Sequence, residues 1–553
     1  MYNLKKCLFL ILLCLPFLAE AQLLKKGAEA FGRADSLRGY LSPLRSCYDV
    51  LYYHLDVKAD LNKRQISGSN LFVFGAVNTF RELQFDLFEN MPVDKVLYHG
   101  KTLPYHREYN AVFITFPEDI KTAATDSFRV FYHGQPLEAK NAPWDGGFVY
   151  SKDPGGKPWV STACQGLGAS MWWPTKDHQS DEPDSMLISV SVPGGLQDVS
   201  NGRLRKTTKL KNGYTRFDWF VSNPINNYNV SLNIGDYTHI RDSYQGKNGQ
   251  LDLDYWVLPV NEAKARKQFD EDVKPMLRSF EDWFGPYPFY KDGYKLVETP
   301  FLGMEHQSAI AYGNGYNKGY MGRDLSGTGW GLKWDFIVVH ESGHEWFGNN
   351  ITAKDIADMW VHESFTHYSE SLFIESLYGK QAGQEYVHGI RKAVQNDAPV
   401  TGIYDVNKEG SGDMYYKGSV LLNMIRTIIN DDQKWKSILQ GLNRTFYHKT
   451  VTYKEVTGYI SDQSGIDFSK VFEQYLRYKS IPTLELRTGK DKLWYRWIAD
   501  VPGFDMQVRV RLREGKYIVI KPGDSFSEME LPGVNRDNIE VDTFNFYIGV
   551  LME

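Results

Sequence analysis

The segment HESGH at residues 340–344 is the feature that most constrains how this chain can fold. Side chains at positions i and i+4 lie one turn apart on one face of a helix, so His340 and His344 can reach the same metal ion. Glu341 lies at the edge of that face and can hold a metal-bound water without being a ligand. The alternative is a buried amphipathic helix whose two histidines are hydrogen-bonded in the core. The pattern predicts a helix and favours a metal site on it.

A catalytic zinc site needs a third protein ligand and an open fourth position. Glu363 lies nineteen residues after His344, in a segment with helical spacing from Met359 to Leu377. A second helix packed against the first would present Glu363 to the two histidines. The predicted ligand set is therefore His340, His344 and Glu363, around one Zn²⁺ per chain.

Three further polar residues lie close to this predicted ligand set. Glu370 is two turns beyond Glu363 and can accept the spare ring N–H of a ligand histidine; the alternative is an exposed helical carboxylate. His362 and His367 are interpreted as flanking residues, because two histidines and one glutamate already fill the protein positions of the site.

Length and composition exclude several classes of protein. A chain of 553 residues is long enough for several domains. The net charge is −5 and no basic block is present, so a nucleic-acid partner is not expected. The aromatic content of 14% fits β-rich domains and aromatic-lined clefts.

The N-terminus has the pattern of an export signal. Lys5 and Lys6 precede an apolar run over residues 7–18, and Ala19-Glu20-Ala21 follows as a cleavage site. Residues 1–21 are therefore predicted to be a signal peptide, and the mature protein is expected in the periplasm or outside the cell. No other stretch approaches eighteen apolar residues, so no membrane span is expected.

The pattern along the rest of the chain predicts a multi-domain α+β protein. Residues 22–45 are interpreted as a short leader. Residues 45–259 alternate like the strands of an antiparallel β domain, residues 260–479 are mainly helical and carry the predicted zinc site, and residues 480–553 return to strands, enough for a small β-sandwich. Cys47 and Cys164 are either two thiols or one disulfide.

The motifs together resemble those of a known family. HESGHEWFGN is followed by WVHESFT, which carries Glu363 at the gluzincin spacing. This combination resembles peptidase family M1, the aminopeptidase N family, which includes the leukotriene epoxide hydrolase. The resemblance covers residues 45–480, and it implies an N-terminal β saddle and a thermolysin-like catalytic domain.

The resemblance also implies residues for substrate and catalysis. Gly303, Met304 and Glu305 occupy the place of the family's amine-binding motif, G-x-M-E-N. Tyr415 begins a Y-x-K-G segment and takes the role of the catalytic tyrosine. Gln165 is similar to a glutamine of the N-terminal domain that helps hold the substrate amine.

Two departures from the family pattern change what the resemblance implies. Leu302 and His306 replace the outer Gly and Asn of the amine motif, which puts the backbone contacts to the peptide and the first subsite in question. The large C-terminal helical domain of many members is missing, so the cleft is expected to be more open and epoxide hydrolysis is not expected.

These observations predict a zinc-dependent aminopeptidase acting on peptides with a free N-terminus. Glu341 is expected to be general base and then general acid, Tyr415 to hydrogen-bond the oxyanion, and Glu305 with Gln165 to bind the α-ammonium. The alternatives are a thermolysin-type zinc endopeptidase and a secreted zinc-containing binding protein without activity. The oligomeric state and the preferred N-terminal residue stay open.

Overall fold

The structure is a computed structural model that describes residues 30–553. The predicted signal peptide, residues 1–21, lies outside the described residues. The described part of the predicted leader begins at residue 30 and contains two short helices, Arg33–Gly39 and Pro43–Ser46. Their buried residues, Leu37 and Arg45 among them, fasten this segment to the β-rich region that follows.

The N-terminal region is rich in strands, as the alternating pattern predicts. Its large sheet has the spatial order Arg203–Lys209, Tyr214–Val221, Ser185–Pro193, Tyr48–Asp60, Gln65–Ala76, Thr125–Gly134, Val93–Tyr98 and Lys101–Leu103. A second sheet contains Phe80–Asp86, Ala111–Ile120 and Tyr105–Glu108, and a third contains Gln197–Val199, Asn233–Gly235, Pro158–Ala163 and Gly147–Lys152. Phe72, Phe74 and Phe128 pack between these layers in one apolar core.

One central pair of the large sheet is parallel, although the sequence predicts an antiparallel domain. Tyr48–Asp60 and Ser185–Pro193 run in the same direction, with Leu55 opposite Ile188. More than a hundred residues connect them, and parallel strands require such a long crossover. Alternation of apolar residues reports burial and carries no information about strand direction.

A mixed sheet joins the β-rich region to the helical region. Its spatial order is Thr238–Gly246, Gly249–Val257, Tyr294–Glu298, Ile310–Tyr312 and Gly303–Met304. It therefore crosses the predicted boundary at residues 259 and 260. Gly303–Met304, which carries part of the predicted amine motif, is its edge strand.

The region from residue 262 to residue 477 is mainly helical. Its α-helices are Glu262–Phe284, Phe336–Gly343, Trp360–Tyr378, Lys380–Ile390, Asp413–Ile429, Asp432–Thr445, Tyr453–Ser464 and Ser469–Arg477. The short strands Ile351–Ala353 and Lys449–Val451 pair in parallel between them. We call Phe336–Gly343 the motif helix, Trp360–Tyr378 the glutamate helix and Asp413–Ile429 the tyrosine helix.

The chain returns to strands after the last helix, as the sequence predicts. One sheet has the order Ser527–Glu530, Lys492–Ile498, Thr483–Gly489 and Gly549–Met552, and the other Ile518–Ile520, Val508–Leu512 and Ile539–Val541. Buried residues of these strands, such as Leu484 and Val510, belong to the same apolar core as the helical region. Cys47 and Cys164 are buried free thiols.

Candidate metal centre and active site

The motif helix begins where Asp335 caps it. The Asp335 carboxylate accepts hydrogen bonds from the backbone N–H groups of Ile337 and Val338, at 3.1 and 3.4 Å. Such a cap satisfies donors that the first helical turn leaves unpaired. Tyr312 also donates to Asp335, at 2.7 Å. Asp335 thus links the start of the helix to the mixed sheet, and this link helps to fix the position of His340 in the interior.

His344 is oriented by a break in the chain directly after the motif helix. Phe347 and Gly348 leave helical geometry, Gly348 with φ 127°, a region that favours glycine. The turn brings the carbonyl oxygen of Phe347 to 3.1 Å from His344 Nδ1. When Nδ1 carries the proton and donates a hydrogen bond to this carbonyl oxygen, the lone pair of the neutral ring is on Nε2. His344 Nε2 lies 3.4 Å from Glu363 Oε2.

His340 is oriented by Glu370, as predicted from the helical spacing. His340 Nδ1 lies 2.7 Å from Glu370 Oε1, which leaves Nε2 facing Glu363 Oε2 at 3.7 Å. Glu370 is buried, and it also binds Nδ1 of His367 at 2.6 Å and the hydroxyl of Tyr386 at 2.6 Å. The alternative of an exposed carboxylate therefore does not hold, and His367 contributes more than a flanking position.

The three predicted ligands converge with their free atoms toward one point. A nitrogen of His340, a nitrogen of His344 and an oxygen of Glu363 all lie within 4.8 Å of one another. Among the described residues Glu363 Oε2 is buried and has no hydrogen-bond partner. Burial acts against ionisation, yet His344 and His340 hold the pKa of Glu363 well below its usual range. Two imidazole Nε2 atoms and an unpaired carboxylate oxygen fit Zn²⁺.

Two glycines let the three helices approach so closely. A Cβ on Gly418 of the tyrosine helix would lie 2.5 Å from the Cβ of Ser364 in the glutamate helix, and a Cβ on Gly343 would lie 2.7 Å from Ser369 Oγ. Ser364 Oγ donates to the carbonyl oxygen of Met414 at 2.7 Å across the same contact. The glycine of the Y-x-K-G segment therefore brings Tyr415 close to Glu363.

Glu341 lies in the wall of the cleft beside the predicted ligands and is 8% exposed. Burial raises the pKa of its carboxyl to about 7; His340 and His344 oppose the shift, and the neighbouring Glu305 carboxylate adds to it. A cation between the ligands would favour the ionised form. A carboxylate oxygen of Glu341 lies within 4.8 Å of a nitrogen of His344, but Glu341 does not belong to the group formed by His340, His344 and Glu363.

Glu305 is buried on the side of the cleft next to His344. Its Oε1 accepts hydrogen bonds from Gln165 Nε2 at 2.6 Å and from the hydroxyl of Tyr228 at 3.0 Å. Gln165 Nε2 also lies 3.1 Å from Glu363 Oε1, so this side chain links Glu305 to the metal ligands. Oxygens of Glu305 and Glu341 and a nitrogen of His344 lie within 4.8 Å of one another. Burial raises the pKa of Glu305.

The edge strand Gly303–Met304 forms one wall of the cleft. A Cβ on Gly303 would lie 2.8 Å from both Glu341 Oε1 and Ile337 Cγ2, so this position favours glycine. Leu302 lines the cleft, whereas His306 is fully buried behind it with both ring nitrogens unpartnered among the described residues. Of the two departures from the family motif, only Leu302 therefore faces the cleft.

Tyr415 stands at the first turn of the tyrosine helix and faces the predicted ligands. Its ring lies parallel to that of His340, with centroids 6.2 Å apart. Burial and the carboxylate of Glu363 raise the pKa of its phenol well above the usual value. The hydroxyl therefore keeps its proton and can donate a hydrogen bond.

All of the predicted ligand, base and substrate residues except Glu370 line one cleft of about 670 Å³. Several residues that sequence reasoning missed also form or support it. They are Tyr228, His367, Tyr320, Asn407 and Glu409. Tyr228 lies in the segment PINNYNVSLNIGDY, which contains none of the motifs that predicted site residues. His367 was predicted only as a flanking residue, although it lies three residues before Glu370 on the same helix. Tyr320, Asn407 and Glu409 follow from no local motif.

The centre has two histidines and one glutamate, with Glu341 beside it in the H-E-x-x-H segment, and this is the residue set of a zincin-type metal site. Residues 270–475 match the family profile described as the peptidase family M1 domain. The matched segment contains the motif helix, the glutamate helix and the tyrosine helix, which carry the motifs on which the resemblance rests.

Curated relatives match beyond that domain. The chain is 22% identical over 414 residues to the probable aminopeptidase 2 of Sulfurisphaera tokodaii, covering 71% of this chain and 49% of the relative. It is 23% identical over 349 residues to aminopeptidase N of Lactobacillus helveticus, covering 56% and 38%. This chain thus spans half or less of the length of these relatives.

Solved structures share the fold. An M1 zinc metallopeptidase from Deinococcus radiodurans has a TM-score of 0.65 at 20% identity, covering 78% of this chain and 94% of that one. A mutant of the same enzyme bound to a Tyr-Ser-Ala substrate has a TM-score of 0.65 at 19% identity, covering 80% and 98%. The similarity extends well beyond the M1 domain.

Proposed function

We propose that this protein is a zinc-dependent aminopeptidase that removes N-terminal residues from peptides. One observation carries the proposal: Glu305, Glu341 and His344 offer atoms within 4.8 Å of one another. One residue of an extended chain spans about 3.3–3.6 Å. A carboxylate that binds the α-ammonium thus lies one residue away from the group that activates water.

His340, His344 and Glu363 would hold the zinc ion. When bound, zinc supplies Lewis acidity toward the scissile carbonyl and lowers the pKa of water. The residues around the ligands serve this site in turn. Glu370 and the carbonyl oxygen of Phe347 hold the two imidazoles so that their Nε2 atoms face inward, which fixes the ring orientation and the tautomer.

Two residues of this chain would move or stabilise charge during hydrolysis. Glu341 accepts a proton from the attacking water and later delivers it to the leaving amine, as general base and then general acid. Tyr415 donates a hydrogen bond to the carbonyl oxygen as negative charge develops on it. Its raised pKa keeps the donor proton in place.

Glu305 and Gln165 would select the end of the peptide. A free α-ammonium can pair with the Glu305 carboxylate, whose Oε1 is already held by Gln165 and Tyr228. A charge-assisted hydrogen bond of this kind is worth roughly 1.5–3 kcal/mol. An internal peptide bond has no charge to place there. The arrangement therefore favours an exopeptidase over the thermolysin-type endopeptidase.

Aromatic side chains in the cleft favour an apolar residue at the second position of the peptide. The ring of Phe336 stacks on that of His340, with centroids 5.0 Å apart, and meets the ring of Tyr320 edge to face at 5.2 Å. The ring centroids of His367 and Tyr416 are 5.0 Å apart. These aromatic rings line the same cleft as Glu305 and provide an apolar surface for the residue after the cut. Dipeptides with an apolar second residue are expected to have a kcat/KM about tenfold above those with an acidic one.

The finer architecture implied by the resemblance is part of the same proposal. The N-terminal sheets form the β saddle, the region around the zinc site is thermolysin-like, and the two C-terminal sheets face each other as a small β-sandwich. The domain bounds 45–259, 260–479 and 480–553 are proposed with it. The boundary between the first two domains lies within the mixed sheet, which has strands on both sides of residue 259.

Export is also proposed. The basic, apolar and small-residue segments of residues 1–21 support it. Within residues 30–553, no helix combines the length and the apolar character needed to cross a bilayer. N-terminal sequencing of the protein recovered outside the cytoplasm is expected to begin at Gln22, and an uncleaved N-terminus would contradict the proposal.

The test compares a free peptide with its N-acetylated form, with and without a chelator. The free peptide is expected to be cleaved and the acetylated one spared, since acetylation removes the charge that Glu305 binds. A Glu305→Gln variant is expected to lose most of this discrimination. Equal cleavage of both forms by the wild type would indicate an endopeptidase. Stoichiometric zinc without hydrolysis of any aminoacyl amide would indicate a binding protein.

A further inference from the structure

The N-terminal helix Arg33–Gly39 lies between two loops that line the cleft. One is the Gln165 loop, residues 164–168, and the other is the Asn407 loop, residues 405–409. We infer that this helix is a positioning element for the amine-binding end of the cleft, and that Arg38 is its principal positioning residue. The inference rests on the proposed function, because it assigns Arg38 a role in holding Gln165.

Arg38 binds the Gln165 loop directly. Its Nη2 donates to the carbonyl oxygen of Leu167, and its Nη1 lies 3.3 Å from Asp177 Oδ2 and 3.4 Å from Ser170 Oγ. The same Asp177 oxygen accepts from the backbone N–H of Ser170 at 3.1 Å. The guanidinium therefore fastens the chain two residues after Gln165 to the wall of the β-rich region.

The Gln165 loop is tight, and Arg38 closes its open side. The N–H of Gly168 donates to the carbonyl oxygen of Cys164 at 2.6 Å, and Gly168 has φ 89°. A Cβ on Gly168 would overlap Arg38 and Asp177. Gln165 lies within this turn, and its Nε2 reaches Glu305 at 2.6 Å and Glu363 at 3.1 Å. A shift of the turn would therefore lengthen both hydrogen bonds.

The end of the same helix contacts the second loop. A Cβ on Gly39 would overlap the backbone of Val406 and Asn407. Asn407 Nδ2 in turn lies 3.3 Å from the carbonyl oxygen of Gly166, which joins the two loops.

Buried groups hold the helix end in place. Arg45 is 1% exposed, donates to the carbonyl oxygen of Arg38 at 2.7 Å and pairs with Asp86 at 2.6 Å. His178 Nε2 lies 3.1 Å from the carbonyl oxygen of Gly39. These contacts provide a fixed base from which Arg38 reaches the loop.

The test replaces Arg38 by Met, which keeps an apolar stem and removes the donors. The matched control is Arg33→Met on the same helix. Arg33 is exposed, its Nη2 lies 3.0 Å from Glu108 Oε2, and neither residue lines the cleft. For an aminoacyl amide, Arg38→Met is expected to raise KM about three- to tenfold, the size of one lost hydrogen bond. We expect kcat to stay within about twofold, and Arg33→Met to match the wild type.

A double-variant cycle separates positioning from a general loss of structure. Because Arg38 acts through Gln165, Arg38→Met is expected to add no further rise in KM to a Gln165→Ala background. Arg38→Lys, which retains one donor, is expected to have an intermediate KM, and it carries the test if Arg38→Met does not fold. Additive effects, or a wild-type KM in a folded Arg38→Met protein, would overturn the inference. A wild type that hydrolyses no aminoacyl amide would instead reject the proposed function itself.

Discussion

At the scale of single residues, the motif positions and their surroundings differ in how far sequence could identify them. His340, His344 and Glu363 follow from helical spacing, because i and i+4 share a face and a third ligand must come from a neighbouring helix. Glu370 follows from the same periodicity. Tyr228 does not, since its contact with Glu305 depends on how separate segments pack. His367 lies three residues before Glu370 on the same helix, so the same periodicity could have indicated that contact.

Tyr415 provides the first prediction at this scale. Replacing it by Phe removes only the hydroxyl, so the ring can still lie parallel to His340. If the hydroxyl donates to the developing oxyanion, kcat is expected to fall about 10²- to 10³-fold with little change in KM. Steady-state kinetics on an aminoacyl amide measure kcat and KM separately.

The control for this prediction is its neighbour on the same helix. Tyr416→Phe removes a hydroxyl from a ring that contacts His367 at 5.0 Å, and it is expected to leave kcat within about twofold. Equal losses in both variants would mean that Tyr415 has no specific role at the reacting carbonyl.

At the scale of secondary-structure elements, most helices and strands were predictable and their partners were not. The glutamate helix Trp360–Tyr378 lies within one residue at each end of the predicted segment 359–377. The parallel pairing of Tyr48–Asp60 with Ser185–Pro193 was not predictable. Period and capping are local properties, whereas strand direction depends on the path of the intervening chain.

Gly418 provides a prediction about helix packing. A Cβ there would lie 2.5 Å from the Cβ of Ser364, and forcing extra volume into such a contact costs about 1–3 kcal/mol. Gly418→Ala is therefore expected to lower the melting temperature and to reduce kcat, because it displaces Tyr415 from Glu363. Thermal unfolding and kinetics on the same preparation measure both effects.

A glycine in an open helical position is the matched control. Gly458 lies inside the helix Tyr453–Ser464, and a Cβ there meets nothing within 4 Å. Gly458→Ala is expected to stabilise the protein by about 0.5–1 kcal/mol, since alanine is the better helix former. If Gly418→Ala were equally stabilising, the close approach of the two helices would be in error.

At the scale of the whole molecule, the metal site links the stability of the protein to zinc. The ligands come from two helices whose buried residues belong to the apolar core that also includes the C-terminal strands. A ligand that binds only the folded state at 1,000 times its Kd adds about 4 kcal/mol. Chelation is expected to lower the melting temperature by a few degrees, and added zinc to restore it.

Two variants separate metal binding from chemistry in that measurement. Glu341→Gln keeps the ligand set, so its melting temperature is expected to depend on the chelator like that of the wild type, while activity is lost. His344→Ala removes a ligand and is expected to melt at the same temperature with and without chelator. A chelator effect that survives in His344→Ala would place the stabilising metal elsewhere.

Stability is also expected to depend on pH through His178. Burial lowers the pKa of His178 to about 4, and the charges of Arg45 and Lys176 act in the same direction, whereas the carbonyl oxygen of Gly39 and the carboxylate of Asp177 oppose it. The unfolded chain binds this proton near its ordinary pKa of about 6.5. This contribution to stability is complete above about pH 6.5 and is lost as the pH falls toward 4, by at most about 3 kcal/mol.

The variant His178→Gln isolates this contribution, because an amide can still donate to the carbonyl oxygen of Gly39. Its melting temperature is expected to fall less than that of the wild type between pH 6.5 and pH 4.5. Parallel profiles for the two proteins would assign the acid sensitivity to other groups.

The sequence by itself predicted the metal ligands, the base, the helices that carry them and the order of strand-rich and helical regions. Each of these depends on spacing within one segment, where the periodicity of the backbone dictates which side chains share a face. Only the tertiary structure decided to which sheet Gly303–Met304 belongs and how Gln165 lies between Glu305 and Glu363. It also decided that part of the segment predicted to be a leader lies between two loops of the cleft. The contacts of Gln165 and of Arg38 join residues more than a hundred positions apart, and their geometry follows from close packing of the whole core.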